Sequence, residues 1–145
     1  MISVIGGSGF IGTRLCQRFV CSEKSFQILD KAPTFAFPNQ ALLADVRSLD
    51  ALRAHIAEGA ALINLAAEHR DDVRPLSLYD EVNVGGARNL CKVAREKHVK
   101  TIVFTSTVAV YGFAPQGTDE SGAIAPFNDY GRTKFEAERG FRAWQ

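Results

Sequence analysis

The sequence predicts an α/β fold: a doubly wound parallel sheet in three α/β/α layers, with strand order 3-2-1-4-5. Three observations predict it. Short apolar runs rich in β-branched residues alternate with amphipathic stretches of helical period. The first run, Ile2 to Ile5, enters a glycine-rich turn, Gly6-Gly-Ser-Gly-Phe-Ile-Gly12, and leaves it as a helix. The second run closes on an acidic residue, Asp30, at about the 20-residue interval a dinucleotide-binding turn requires.

The glycine turn is the element around which the others are placed. In such a turn one glycine permits the sharp reversal, one lets backbone approach a diphosphate, and one lets helix pack on strand. Two registers fit the sequence, Gly7-x-Gly9-x-x-Gly12 and Gly6-x-x-Gly9-x-x-Gly12. The helix that follows, Thr13 to Val20, aims its unpaired N–H groups and positive dipole end at a bound anion. Phe26 to Leu29 is the second strand. A carboxylate at Asp30 suits the two ribose hydroxyls of NAD and repels the 2′-phosphate of NADP; a helix cap or solvated turn charge is the plainer alternative. Lys31, next in sequence, works against that discrimination. Ala32 to Gln40, with Pro33 and Pro38, is a loop.

Ala41 to Ala44 forms a short third strand ending in Asp45-Val46, and Ser48 caps a helix running to Ala57. Ala60 to Ala67 is a fourth strand whose small terminal residues let a flat ligand lie against backbone, or simply pack the core. Glu68 to Pro75 is a charged loop; His69 there suits either a substrate phosphate or, preferably, a solvated surface. Leu78 to Lys97 has the period of one long helix with Val82, Leu90, Val93 and Ala94 inward. Gly85-Gly86 inside it costs roughly 1 kcal/mol per glycine relative to alanine, which implies that close packing or a partner exploits them. Thr101 to Thr105 is the fifth strand. A Gly- and Pro-containing loop leads to Asn128 and a last helix reaching Trp144.

Composition narrows the partners. The chain has 145 residues and a formal net charge of +1, without a basic block, so nucleic acid and anionic membrane are poor partners. No apolar run nears the ~20 residues of a membrane span. A strand beginning at residue 2 leaves no room for a signal peptide, which favours the cytoplasm. Cys16, Cys21 and Cys91 lack metal-like spacing, and His55, His69 and His98 are scattered, so no metal site is expected.

Tyr130 and Lys134 are four residues apart on the last helix and share a face. A tyrosine hydroxyl ionises near pH 10, and an adjacent ammonium favours its phenolate form, turning it into a usable base. Thr107, beyond the fifth strand, supplies a hydroxyl for holding a substrate oxygen. An isolated Tyr-x-x-x-Lys is ordinarily a surface pair; the nucleotide-binding turn and five alternating strands upstream give it chemical meaning.

Together these segments resemble the N-terminal, Rossmann-like part of the extended short-chain dehydrogenases/reductases, the NAD-dependent nucleotide-sugar epimerase/dehydratase family. The matching motifs occur in order: Gly6 to Gly12, Leu29-Asp30, Ala44-Asp-Val46, Asn64-Leu-Ala-Ala67, Tyr79 to Gly86, Phe104-Thr-Ser-Thr107 with Val110-Tyr-Gly112, and Tyr130-Gly-Arg-Thr-Lys134. The resemblance implies NAD as cofactor, with Gly6, Gly9, Phe10, Ile11 and Gly12 around its diphosphate. It also implies Asp30 at the ribose, Asp45 and Val46 at adenine, and Leu65, Ala66, Ala67 and Thr105 along the remaining cofactor. Thr107 and Tyr130 would be catalytic, Lys134 would bind the nicotinamide ribose and activate Tyr130, and Asn83 would complete the catalytic set.

The family's 4,6-dehydratases carry Asp-Glu where this chain has Val108-Ala109, so the resemblance points to a 4-epimerase or 4-ketoreductase acting on a nucleotide-diphosphate sugar. Family members continue past the position of Gln145 into a substrate-gripping region; residues 1–145 are therefore expected to be the cofactor-binding domain alone, without turnover. A homodimer through helices 78–97 and 130–144 is the family's expectation. Two alternatives remain open: an NADP-linked reductase of steroid or flavonoid type, and a non-catalytic dinucleotide-sensing module.

Overall fold

The computed structural model describes residues 1–145. Its five strands form one parallel sheet in the order β3-β2-β1-β4-β5, as the alternation predicts. Central β1 (Ile2–Ile5) pairs with β2 (Phe26–Asp30) on one side and β4 (Ala61–Asn64) on the other. β3 (Ala41–Leu43) and β5 (Thr101–Phe104) lie outside these. The register sets Ile5 level with Leu29 and Asn64. The chain therefore leaves three neighbouring strands at one height, where the order reverses between β1 and β4, and a crevice opens there.

Helices cover the two faces unequally. α1 (Phe10–Cys21) packs on one, over a small core of Val4, Cys16, Phe26, Ile28 and Phe37. α2 (Leu49–His55), α4 (Gly86–Glu96) and α5 (Asp129–Trp144) cover the other, where Ile5, Leu29, Leu62, Leu90, Val93 and Phe141 belong to the main core. Right-handed crossovers dictate this: the β1-to-β2 step runs opposite to the β3-to-β4 and β4-to-β5 steps, so their connections fall on opposite faces. Capping follows the local sequence. Ser48 accepts from the Ala51 N–H and Asn128 from the Gly131 N–H, at 3.3 and 2.8 Å.

One predicted helix is not a single helix. Residues 78–97 resolve into a short α3 (Ser77–Tyr79), a π-helical turn (Asp80–Gly85) and α4. Val82, Asn83 and Val84 are buried in the π turn. The widened turn holds Val82, Val84 and Gly85, and Gly86 follows it; these residues add little to a regular α-helix. Gly86 explains part of that composition: a Cβ there would lie 2.8 Å from a Val46 methyl, so the helix approaches the β3 exit closely. At Gly85 the nearest atom, Asp80 O, is at 3.6 Å and demands no glycine.

β5 is the last strand of the sheet on its side, and Val103 on it is half exposed. No helix is long and apolar enough to cross a membrane.

Candidate active site

The crevice at the carboxyl ends of β1, β2 and β4 is a cavity of about 610 Å³. Its floor is the glycine turn, and the structure chooses between the two registers. Gly6 has φ +77°, and a Cβ on it would sit 2.6 Å from the Ala66 backbone nitrogen. Gly6, Gly9 and Gly12 line the cavity. Gly7 does not; it is buried against the side chains of Ile28 and Val4. The register is thus Gly6-x-x-Gly9-x-x-Gly12. A Cβ at Gly12 would lie 2.4 Å from Gly7 O, so α1 can seat on the turn only with glycine there. Gly12→Ala is expected to cost about 1–3 kcal/mol, read as a lowered urea midpoint with unchanged slope.

Gly9 is the N-cap of α1, and no side chain caps this helix end or places an acid in its first turn. Its N–H groups and positive dipole end meet the cavity without an internal anion. A diphosphate fits that arrangement. Phe10 and Ile11, both exposed, line the wall beside it.

Asp30 lines the cavity half-buried, with its carboxylate fixed by backbone: Oδ2 accepts from the Ser8 N–H at 2.9 Å and Oδ1 from the Ala32 N–H at 3.0 Å. Its remaining lone pairs are available to a diol. Asp45 and Val46 form the far wall. Arg47 holds the Asp45 carboxyl below the usual range by hydrogen bonding and charge, at 2.7 Å. Asn89 on α4 fixes the same loop by donating to the carbonyls of Val46 and Arg47. Leu65, Ala66 and Ala67 continue the wall from β4. His69, which the sequence places preferably on a solvated surface, stands exposed at the cavity rim.

Tyr130 and Lys134 reach this cavity from the first turns of α5, beside Thr105 and Ser106. Lys134 is only 2% exposed. Its ammonium donates to the Thr105 carbonyl at 2.6 Å and lies 4.2 Å from the Phe104 ring centroid. Burial pushes its pKa down to about 8. The side chain is therefore held rigidly by β5 at the end of the crevice opposite Asp45.

Two expected members of the catalytic set sit differently. Thr107 is not part of the cavity wall; its Oγ1 accepts from the Ala109 N–H at 3.2 Å and caps the 3-10 turn Val108–Tyr111. Ser106, which nothing in the sequence pattern singles out, lines the wall beside it. Asn83 is buried behind the wall and touches no cavity space. Its Oδ1 accepts from the Glu68 N–H at 2.9 Å, while Nδ2 donates to the Glu68 carbonyl at 3.0 Å and to Thr133 Oγ1 at 2.9 Å. With its amide oxygen and both amide N–H groups engaged, Asn83 joins the β4 exit to the helix bearing Tyr130 and Lys134. Asn83→Ala strips those three partners and is expected to cost about 2 kcal/mol in urea unfolding.

A five-stranded parallel sheet with this glycine turn and a Tyr–Lys helix in one crevice is the architecture of the short-chain dehydrogenase/reductase class. The chain belongs to the NAD dependent epimerase/dehydratase family, whose pattern matches residues 2–145. It is 43% identical, over 143 residues, to the N-acetyl-alpha-D-glucosaminyl-diphospho-ditrans,octacis-undecaprenol 4-epimerase of Escherichia coli, covering 99% of this chain and 43% of that protein. To the UDP-glucose 4-epimerase of Vibrio cholerae it is 32% identical, covering 95% of this chain and 45% of that one. Among solved structures it superposes on a short-chain dehydrogenase/reductase superfamily protein from Agrobacterium tumefaciens with bound NAD, TM-score 0.90 at 25% identity, over 99% of this chain and 44% of the other. It also superposes on the Thermus thermophilus UDP-glucose 4-epimerase in complex with NAD, TM-score 0.89 at 25% identity, over 99% and 50% of the two chains. The chain spans half or less of the length of each of these four proteins.

Proposed function

We propose that this chain is the cofactor-binding portion of an NAD-dependent 4-epimerase acting on a hexose carried by a diphosphate. The observation that carries the reading is the convergence of the Gly6–Gly12 turn, Asp30, Tyr130 and Lys134 on one cavity. The residues present fit NAD: the uncapped α1 N-terminus for the diphosphate, Asp30 for the adenosine ribose, Asp45 and Val46 for adenine. Leu65, Ala66, Ala67 and Thr105 line the way to the nicotinamide end.

NAD, when bound, supplies a hydride acceptor that becomes a hydride donor. In the reading offered, Tyr130 accepts the proton of the sugar 4-hydroxyl as its carbon is oxidised, and returns a proton to the oxygen when the ketone is reduced from the other face. Lys134, fixed by the Thr105 carbonyl, places a positive charge that favours the phenolate. Thr107, just beyond the cavity wall, would offer its hydroxyl proton to the sugar oxygen, its Oγ1 already accepting from the Ala109 N–H. Val108 and Ala109 carry no group able to exchange protons with carbon, which disfavours elimination of water. A 4-ketoreductase uses the same residues and differs only in releasing the reduced sugar.

The carrier on the diphosphate is a nucleoside in this proposal. The relative at 43% identity is named for a polyprenyl carrier instead, which makes a lipid-linked sugar the second substrate to try. Residues 1–145 are proposed to bind cofactor without turnover, the sugar-gripping part being supplied by a longer chain. The proposed homodimer uses the outer faces of α4 and α5.

Titration of the 145-residue chain with NADH, followed by nicotinamide fluorescence, is expected to saturate, with NADPH binding more weakly. Failure to bind either dinucleotide would end the proposal. In a chain extended to the relatives' length, UDP-hexoses and a short polyprenyl-diphosphate-hexose are the paired substrate arms.

A further inference from the structure

Lys31 poses a problem for any preference for NAD. It follows Asp30 directly, lines the same cavity, and carries an ammonium on a flexible stem, which is a ready partner for a 2′-phosphate. The structure gives that ammonium another partner. Lys31 Nζ lies 2.8 Å from Glu68 Oε1, so the pair bridges from the β2 exit to the β4 exit, and both residues line the cavity.

The two partners are not equivalent. The Lys31 side chain is 58% exposed and the Glu68 side chain 17%. Glu68 is also held at its backbone: Asn83 accepts from its N–H and donates to its carbonyl, and Asn83 is anchored in turn on Thr133. Glu68 is therefore the fixed end of the bridge and Lys31 the end that comes to it.

From this we infer that Glu68 is a cofactor-selectivity residue: it occupies Lys31, so that a 2′-phosphate meets the Asp30 carboxylate without a free cation beside it. The inference rests on the dinucleotide reading of the cavity and extends it to a residue 37 positions from Lys31 in sequence. Selectivity is divided between a repelling carboxylate at the ribose and a second carboxylate that neutralises the only cation next to it in the β2 exit.

The test compares NADH and NADPH affinities of the 145-residue chain by nicotinamide fluorescence. Glu68→Gln keeps size and backbone bonds and frees Lys31. It is expected to raise the NADPH-to-NADH affinity ratio about fivefold at low ionic strength, and less at high salt, as for a partly exposed ion pair. Lys31→Met added to Glu68→Gln is expected to remove that gain. An unchanged ratio in Glu68→Gln, or an equal loss of both cofactors, overturns the assignment and leaves Glu68 a packing residue. A gain that survives Lys31→Met overturns the pairing, since the Glu68 charge would then act on the phosphate directly. Wild-type binding of NADH separates these outcomes from failure of the underlying reading, because a chain that binds no dinucleotide fails at that first titration.

Discussion

Tyr130→Phe, made in a chain extended to the length of the relatives, is expected to lower turnover by about 10²–10⁴-fold. The same change in the 145-residue chain is expected to leave NADH affinity within about fivefold, since one half-buried hydroxyl on the cavity wall is all that is removed and a net hydrogen bond contributes only about 1 kcal/mol. The Tyr130 hydroxyl makes no hydrogen bond that holds α5 in place; the helix is fixed by its Asn128 cap, by Thr133 and by the buried Lys134. The variant should therefore fold with an unaltered urea midpoint. Loss of turnover with retained binding isolates proton transfer from cofactor binding. Unchanged turnover would remove Tyr130 as the base, and loss of binding would mean that it holds the cofactor instead.

Sequence legibility in this protein divides by distance along the chain. The strands, their order, and the Ser48 and Asn128 caps rest on neighbouring residues, and the signals for them are local. The glycine register is ambiguous in sequence because Gly6 and Gly7 are adjacent; only the left-handed backbone at Gly6 and the packing of Gly7 on Ile28 separate them. The π turn at Asp80–Gly85 is hidden because one widened turn barely disturbs the apolar period of the surrounding helix.

The site partners are harder still. Asn83 meets Glu68 across 15 positions and Thr133 across 50, so the bridge it makes has no local signature. Thr107 is a hydroxyl at the expected place whose acceptor lone pair has gone to the Ala109 N–H, a choice made by the 3-10 turn and invisible in composition. What reads well from sequence is thus the scaffold and the identity of the reactive side chains. What reads poorly is which polar groups are already spent on holding that scaffold.

Lys134 should show opposite effects on stability and activity. Its ordinary pKa of 10.5 falls to about 8 on burial. Between these values the unfolded chain holds a proton that the folded chain lacks, so stability rises as pH increases from about 8 to about 10.5. Below about 8 both states are charged and the full cost of burying the ammonium applies, on the order of 3 kcal/mol. Methionine at this position keeps much of the stem and removes the charge. It also forfeits the charge-assisted bond to the Thr105 carbonyl, about 1.5–3 kcal/mol. Lys134→Met is therefore expected to be more stable than wild type by about 1 kcal/mol at pH 7, in urea unfolding. The advantage should shrink as pH is raised to 10, because wild type gains stability there and the variant does not. In the extended chain the same variant should lose at least about tenfold in turnover, the positive charge beside Tyr130 being gone. A variant less stable than wild type at pH 7 would show that the Thr105 carbonyl and the Phe104 ring more than offset the burial of the ammonium. In that case a residue proposed to be retained at a cost to the fold would prove to be part of what holds it together.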